Sequence, residues 1–87
     1  MHRAIVKGRV QGVGFRAVTK RLADQKGLQG TVRNLADGAV EIILAGPRTT
    51  LENFLQDLTQ RFPPGYVDKI SIEPYTGSTL PTGFSVL

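Results

Sequence analysis

Residues 4–22 read AIVKGRVQGVGFRAVTKRL and change from the pattern of a β-strand to the pattern of an α-helix. Apolar or small residues alternate from Ala4 to Val10, as in a strand with one buried side. From Phe15 onward, apolar residues recur at helical spacing and predict an amphipathic helix that ends near Gly27. A glycine-rich turn joins the two elements, so the chain begins with a strand that leads directly into a helix.

The remainder of the chain predicts a hairpin, a second helix and further strands. The turn sequence NLADG, residues 34–38, separates two stretches that are rich in β-formers. Thr49 and Glu52 have the spacing of a capping box before an apolar helical stripe, and the Pro-Pro-Gly run at 63–65 ends that helix. The predicted segments are strands at 29–34, 39–44 and 67–73, a helix between Pro47 and Pro63, a loop at 76–83 and a short C-terminal edge strand at 84–86.

The order of these elements defines a fold class. Strand, helix, strand, strand, helix, strand is the βαββαβ order of a ferredoxin-like α+β sandwich, with two helices on one face of an antiparallel sheet. A chain of 87 residues with 40% apolar composition supplies one modest core. We therefore expect a single domain over residues 1–87.

Composition excludes several kinds of chemistry. The chain has no cysteine, which removes disulfides, thiolate metal sites and a cysteine nucleophile. Its only histidine is His2, and the sequence predicts neither a bound metal nor a cofactor. No apolar run reaches membrane-spanning length, and the first residues lack a signal-peptide pattern. We expect a cytoplasmic monomer without a membrane partner.

Charge is distributed unequally along the chain. Up to residue 35 there are eight basic residues and one acidic residue, a net charge of +7, whereas from residue 36 three basic residues face six acidic ones, a net charge of −3. An anionic partner should therefore meet the N-terminal half. The alternative is that these cations are solubilising side chains on separate faces.

The glycine-rich turn has the composition of an anion-binding loop. Gly12 and Gly14 permit backbone angles that turn several N–H groups to one concave side, and the following helix adds its unpaired N–H groups. Arg16, in the first helical turn, supplies a planar fork of donors for two phosphate oxygens. The alternative is a tight connection followed by a solvated arginine.

Three better-known phosphate motifs do not fit this turn. Residues 12–17 match the dinucleotide pattern G-x-G-x-x-G/A, but the chain is too short for a doubly wound sheet and a hairpin follows the next strand. A Cys-x5-Arg phosphatase loop would need cysteine where Val10 stands. A Walker loop would need Gly-Lys followed by Ser or Thr, and this chain has no such sequence.

Asn34 is the second candidate functional residue. In the predicted topology the first and second strands run in the same direction with one antiparallel strand between them, so their carboxyl ends lie about 10 Å apart. A carboxamide from Asn34 and a phosphate on the loop would then hold one water between them. The alternative is that Asn34 caps the NLADG turn.

Three segments, GRVQGVGFR at 8–16, GLQGTVRNLADGAVEI at 27–42 and the terminal FSVL, resemble the acylphosphatase family over essentially the whole chain. The resemblance implies a metal-independent enzyme that hydrolyses carboxyl-phosphate anhydrides to a carboxylate and inorganic phosphate. It implies that Arg16 binds the phosphoryl group and Asn34 orients the attacking water. The main-chain N–H groups of the loop would complete the phosphate site, at Gln11, Gly12, Val13, Gly14, Phe15 and Arg16.

The expected substrate is a small acyl phosphate, and the expected product, inorganic phosphate, should be a competitive inhibitor. Such a reaction depends on positioning and charge stabilisation more than on acid catalysis, because a carboxylate is a good leaving group. Two positions depart from the family pattern: Thr31 and Ala17 stand where many relatives carry an aromatic residue. Both departures bear on the core or the pocket wall and on the acyl group preferred.

Two other functions are open alternatives. The VQGVGFR loop also resembles the acylphosphatase-like N-terminal domain of hydrogenase-maturation carbamoyltransferases, which would make the chain a module that binds carbamoyl phosphate or phosphate. RNA binding on the same fold would need exposed aromatic residues on the central strands, and only Tyr66 and Tyr75 are candidates. We therefore expect no nucleic-acid partner.

Overall fold

The computed structural model describes residues 1–77 and 79–87, and the predicted order of elements is confirmed. The predicted loop at 76–83 contains Ser78, which lies outside the described residues. The elements are β1 (His2–Gly8), α1 (Phe15–Gln25), β2 (Gly30–Asn34), β3 (Val40–Leu44), α2 (Arg48–Thr59), β4 (Val67–Pro74) and β5 (Phe84–Val86).

The strands form one mixed sheet in the order β4-β1-β3-β2-β5. The first four strands pair antiparallel, and β5 pairs parallel with β2. Because β1 and β2 are both antiparallel to β3, they run in the same direction and their carboxyl ends lie at one edge. The ferredoxin-like α+β class is therefore confirmed. Strand β5 extends the sheet beyond β2.

The core lies between the sheet and the two helices. Val6 and Ile42 contribute from the sheet, and both are fully buried. The sequence predicts an apolar stripe at Leu51, Phe54, Leu55, Leu58 and Phe62; the first four are buried on α2, whereas Phe62 lies beyond the end of that helix. Phe15, the first residue of α1, stacks on Phe62 with ring centroids 4.9 Å apart. This contact fixes the start of α1, and with it the glycine-rich turn, against the core.

The helix ends agree with the sequence at α1 but not at α2. After α1, Gly27 adopts a positive φ of 66° and Leu28 N donates to Ala23 O at 2.9 Å, as a glycine-ended helix requires. The predicted Thr49–Glu52 capping box is wrong, because extended Pro47 takes the N-cap position two residues before Thr49 and there is no side-chain cap. Glu52 pairs instead with Arg48 at 3.2 Å. Neither helix of residues 1–77 and 79–87 has the length and apolar character needed to cross a bilayer.

The face of the sheet opposite the helices carries a line of alternating charges. The carboxylate of Glu41, only 3% exposed, forms ion pairs with Arg33 Nε at 2.8 Å and with Arg3 Nη1 at 3.3 Å. Arg3 also pairs with Glu73, its Nε lying 3.1 Å from Glu73 Oε1. The hydrogen bond from Arg33 to Glu41, together with the opposite charge, raises the pKa of the Arg33 guanidinium above its ordinary value. These four side chains connect β2, β3, β1 and β4, so they stabilise the sheet from which the glycine-rich turn extends.

Candidate functional site

The turn between β1 and α1 requires glycine for its backbone angles. Gly12 has φ 76°, and Gly14, which immediately precedes α1, has φ 78° and ψ 15°. A Cβ atom added at either position would meet nothing within 4 Å. Space is therefore not the constraint, and the left-handed conformation is what excludes other residues here.

The same turn presents a row of main-chain donors. Within residues 1–77 and 79–87, none of the N–H groups of residues 11–16 donates to a main-chain oxygen; the first such bond of the helix runs from Val18 N to Gly14 O at 3.0 Å. Successive free N–H groups in a turn that includes left-handed residues, next to a helix N-terminus, form an anion-binding concavity. The turn therefore has the hydrogen-bonding capacity that the sequence predicts.

Arg16 lies in the first turn of α1 and is half-buried. Its Nη1 donates to the main-chain oxygen of Leu87 at 3.2 Å. It forms no ion pair with a carboxylate side chain in the described part of the chain. Its positive charge is thus held beside the turn without a compensating side chain, and it is available to an anion.

Asn34 is the last residue of β2 and lies beside the glycine-rich turn and Arg16. Its Oδ1 is buried and has no hydrogen-bond partner in residues 1–77 and 79–87. The NLADG turn is closed by other groups: Leu35 N donates to Ala39 O at 2.8 Å, and Ala39 N donates to Asp37 Oδ1 at 3.0 Å. The carboxamide oxygen of Asn34 is therefore an unused acceptor.

Gln11 has a second feature that sequence analysis missed. The sequence prediction concerns only its main-chain N–H, yet its side-chain Nε2 donates to Leu35 O and Ala39 O, both at 2.8 Å. The glutamine thereby ties the glycine-rich turn to the hairpin that carries Asn34. The only signal in the sequence is a long polar side chain inside a run of glycine and valine, which does not identify its acceptors.

One pocket of about 320 Å³ brings most of the predicted site residues together. Of the predicted residues, Gly12, Gly14, Phe15, Arg16 and Asn34 line it, and Gln11 and Val13 do not. Val10, Ala17 and Val86 complete the lining. Groups of three or more side chains able to hold a metal ion do not occur within residues 1–77 and 79–87.

Comparisons with known proteins agree with this geometry. A family model described as Acylphosphatase matches residues 2–86. An acylphosphatase of Caldivirga maquilingensis is 50% identical over 86 residues, which are 97% of this chain and 90% of the relative. One from Latilactobacillus sakei is 45% identical over 83 residues, covering 94% of this chain and 90% of the relative.

Similar solved structures include a free-standing acylphosphatase and the longer protein HypF. The acylphosphatase of Bacillus subtilis superimposes with a TM-score of 0.82 at 38% identity, covering 99% of this chain and 96% of that one. HypF of T. kodakarensis superimposes with a TM-score of 0.79 at 32% identity, covering 98% of this chain but 11% of that one.

Fold and pocket define a small α+β structure in which a glycine-rich turn, an arginine and an asparagine line one pocket of about 320 Å³. With a family model that matches residues 2–86, the chain belongs to the acylphosphatase family.

Proposed function

We propose that this chain hydrolyses acyl phosphates through Arg16, Asn34 and the main-chain N–H groups of residues 11–16. As a member of the acylphosphatase family, the chain is a hydrolase that cleaves carboxyl-phosphate bonds. The observation that carries the assignment of residues is a single pocket lined by Arg16 and by Asn34, whose Oδ1 lacks a partner in the described residues.

The phosphoryl group binds in the glycine-rich turn. The N–H groups of residues 11–16 and the guanidinium of Arg16 donate to its non-bridging oxygens, where negative charge is spread in the transition state. The hydrogen bond from Arg16 to Leu87 O, at 3.2 Å, uses one nitrogen and leaves other donors of the fork for the phosphoryl group. Ground state and transition state are both bound in this way.

The attacking water is held by Asn34. A hydrogen bond between the carboxamide of Asn34 and the water directs the lone pair of the water at phosphorus, opposite the acyl oxygen. The water oxygen forms the new bond to phosphorus while the bond from phosphorus to the acyl oxygen breaks, and the electron pair of that bond leaves with the carboxylate. The protons of the water pass to the phosphate oxygens or to the departing carboxylate.

This reaction does not need an acidic side chain on the enzyme. Carboxylates of ordinary pKa, about 4, leave without protonation. Positioning and charge stabilisation are then sufficient, in agreement with a pocket whose only charged lining residue is Arg16. Inorganic phosphate, the product, competes with substrate for the same turn.

We further propose that residues 1–87 act as a single acylphosphatase-like domain, as a cytoplasmic monomer that requires no metal or cofactor.

A binding module for carbamoyl phosphate or phosphate is the second candidate. It is supported by the likeness to HypF, in which a region similar to this chain is a small part of a longer protein. A structure of full-length HypF in the phosphate- and nucleotide-bound form superimposes with a TM-score of 0.74 at 27% identity.

An assay of benzoyl phosphate hydrolysis in the presence of a chelator tests the proposal. We expect the wild-type chain to be active, and Arg16→Ala to lower kcat/KM by about 100-fold or more and to weaken inhibition by phosphate. Arg21→Ala is the matched control, because Arg21 is an exposed arginine of the same helix; it should change kcat/KM less than about twofold.

Two results would contradict the proposal. Equal effects of Arg16→Ala and Arg21→Ala would remove the role of Arg16. Binding of carbamoyl phosphate without turnover of any acyl phosphate would favour the binding module.

A further inference from the structure

The pocket is larger than a phosphoryl group requires. Its volume is about 320 Å³. A phosphoryl group and one water together need roughly 100–150 Å³, since a water molecule accounts for about 30 Å³. About half of the space therefore remains for the part of the substrate that carries the phosphate.

The lining of that remaining space is apolar. Outside the phosphate-binding turn, Arg16 and Asn34, the lining residues are Val10, Ala17 and Val86. Val10 is 1% exposed and presents almost no surface, whereas Ala17 is exposed and Val86 is 42% exposed. Val86 is one of three large apolar side chains recorded as exposed in the described residues, the others being Met1 and Leu87. Ala17 and Val86 thus place apolar surface on the part of the pocket where the acyl end of a bound substrate would lie.

Strand β5, which carries Val86, is fixed relative to the phosphate-binding turn. It pairs parallel with β2, and Leu87 N donates to Val32 O at 2.8 Å. Two cations one turn apart on α1 also reach its main chain: Lys20 Nζ donates to Phe84 O at 2.9 Å and Arg16 Nη1 donates to Leu87 O at 3.2 Å. The position of Val86 is therefore set by the same helix that carries Arg16 and Ala17.

We propose that Ala17 and Val86 form an acyl-binding wall that selects acyl phosphates with a compact apolar acyl group, such as a benzoyl group. This inference rests on the hydrolase function proposed above. The wall has no donor or cation that would hold a second carboxylate or an amide of the acyl group. A polar acyl group would lose its water there without gaining a hydrogen bond, whereas an apolar one gains contact.

Comparing two substrates across Val86→Thr tests the wall. Threonine has nearly the shape of valine and suits a strand, so the fold is retained while one methyl becomes a hydroxyl. We expect kcat/KM for benzoyl phosphate to fall about three- to tenfold and kcat/KM for acetyl phosphate to change less than about twofold. Ala17→Ser should shift the ratio of the two substrates in the same direction. Dividing the ratio of each variant by the ratio of the wild type cancels the different intrinsic reactivities of the two anhydrides.

Val67→Thr is the matched control, because it is the same substitution on β4, at the opposite edge of the sheet. It should leave the substrate ratio unchanged, and none of the three variants should alter inhibition by inorganic phosphate. Equal effects of Val86→Thr on both substrates, or no effect on either, would overturn the acyl-binding wall while leaving the hydrolase intact. Failure of the wild-type chain to hydrolyse either substrate would instead overturn the proposed function and the wall with it.

Discussion

Asn34 differs from the other pocket residues because its carboxamide oxygen is enclosed but has no partner in residues 1–77 and 79–87. A buried polar atom without a hydrogen bond costs folding free energy, on the order of 1–3 kcal/mol. Such a cost is commonly retained where function needs the atom. The adjacent turn is closed by Leu35, Asp37 and Ala39, so the asparagine is not required for the hairpin bonds described.

Asn34→Ala should lower kcat by about 100-fold, because the water then has no fixed position. Inhibition by inorganic phosphate should change less than about twofold, because the phosphate-binding groups remain. Steady-state kinetics with phosphate as inhibitor measure both quantities. Thermal unfolding provides the control: a large loss of stability together with weakened phosphate binding would show that Asn34 acts through the hairpin instead.

Individual residues were predictable from the sequence to different degrees. Glycines before an arginine at the start of a helix indicate an anion site by their own chemistry, and the pocket does contain Gly12, Gly14 and Arg16. The side-chain bonds of Gln11 were not predictable, because Leu35 and Ala39 are 24 and 28 residues away in sequence. Nor does sequence alone reveal that Arg16 contacts the main chain of Leu87.

At the scale of elements, the turn from β1 to α1 is the part with the strictest backbone requirement. Gly14 before α1 and Gly27 after it have nearly equal positive φ values, 78° and 66°, and both have open space where a Cβ would lie. The two glycines therefore provide a matched pair, one in the pocket and one outside its lining.

Gly14→Ala and Gly27→Ala should each destabilise the fold by about 1 kcal/mol. The strain of roughly 1–2 kcal/mol is partly offset by the lower freedom of the unfolded chain. Only Gly14→Ala should also lower kcat/KM, because relief of the strain moves the N–H groups of the turn. Denaturant unfolding and hydrolysis assays on both variants distinguish the effects, and equal activity in the two variants would contradict the role of the turn.

Sequence periodicity predicted α1, α2 and β1 well because each of them buries mainly one face, whereas all five residues of β3 are buried. The start of α2 was mispredicted because Pro47, which follows Gly46 at φ 107°, is extended and takes the N-cap position, so that Thr49 lies inside the helix. The parallel pairing of β5 with β2 could not be predicted, since a three-residue strand carries no periodic pattern that specifies its direction.

At the scale of the whole molecule, one of the eight cations in the first 35 residues reaches the pocket. Arg16 lines it, and among the described residues that line it there is no acidic side chain. The alternative reading, solubilising charge alone, does apply to several other cations: Lys20 and Lys26, for example, pair with Asp24 and Asp57 at the surface. An anion entering the pocket should therefore stabilise the folded state.

Inorganic phosphate should raise the melting temperature in a saturable manner. At ten times its dissociation constant, phosphate stabilises the native state by about 1.4 kcal/mol, which corresponds to about 6–11 °C for a domain of this size. Differential scanning fluorimetry at constant ionic strength measures the shift. Arg16→Ala should remove most of it and Arg21→Ala should retain it; an equal shift in both variants would indicate a general salt effect.

The pocket draws on residues that are far apart in the chain: 10–17, 34 and 86. The contact from Arg16 to Leu87 alone closes a loop of 71 residues, so it forms only after most of the entropy of chain collapse has been lost. The pocket is therefore complete only when β5 has paired with β2. During refolding, we expect full turnover to return no earlier than this pairing.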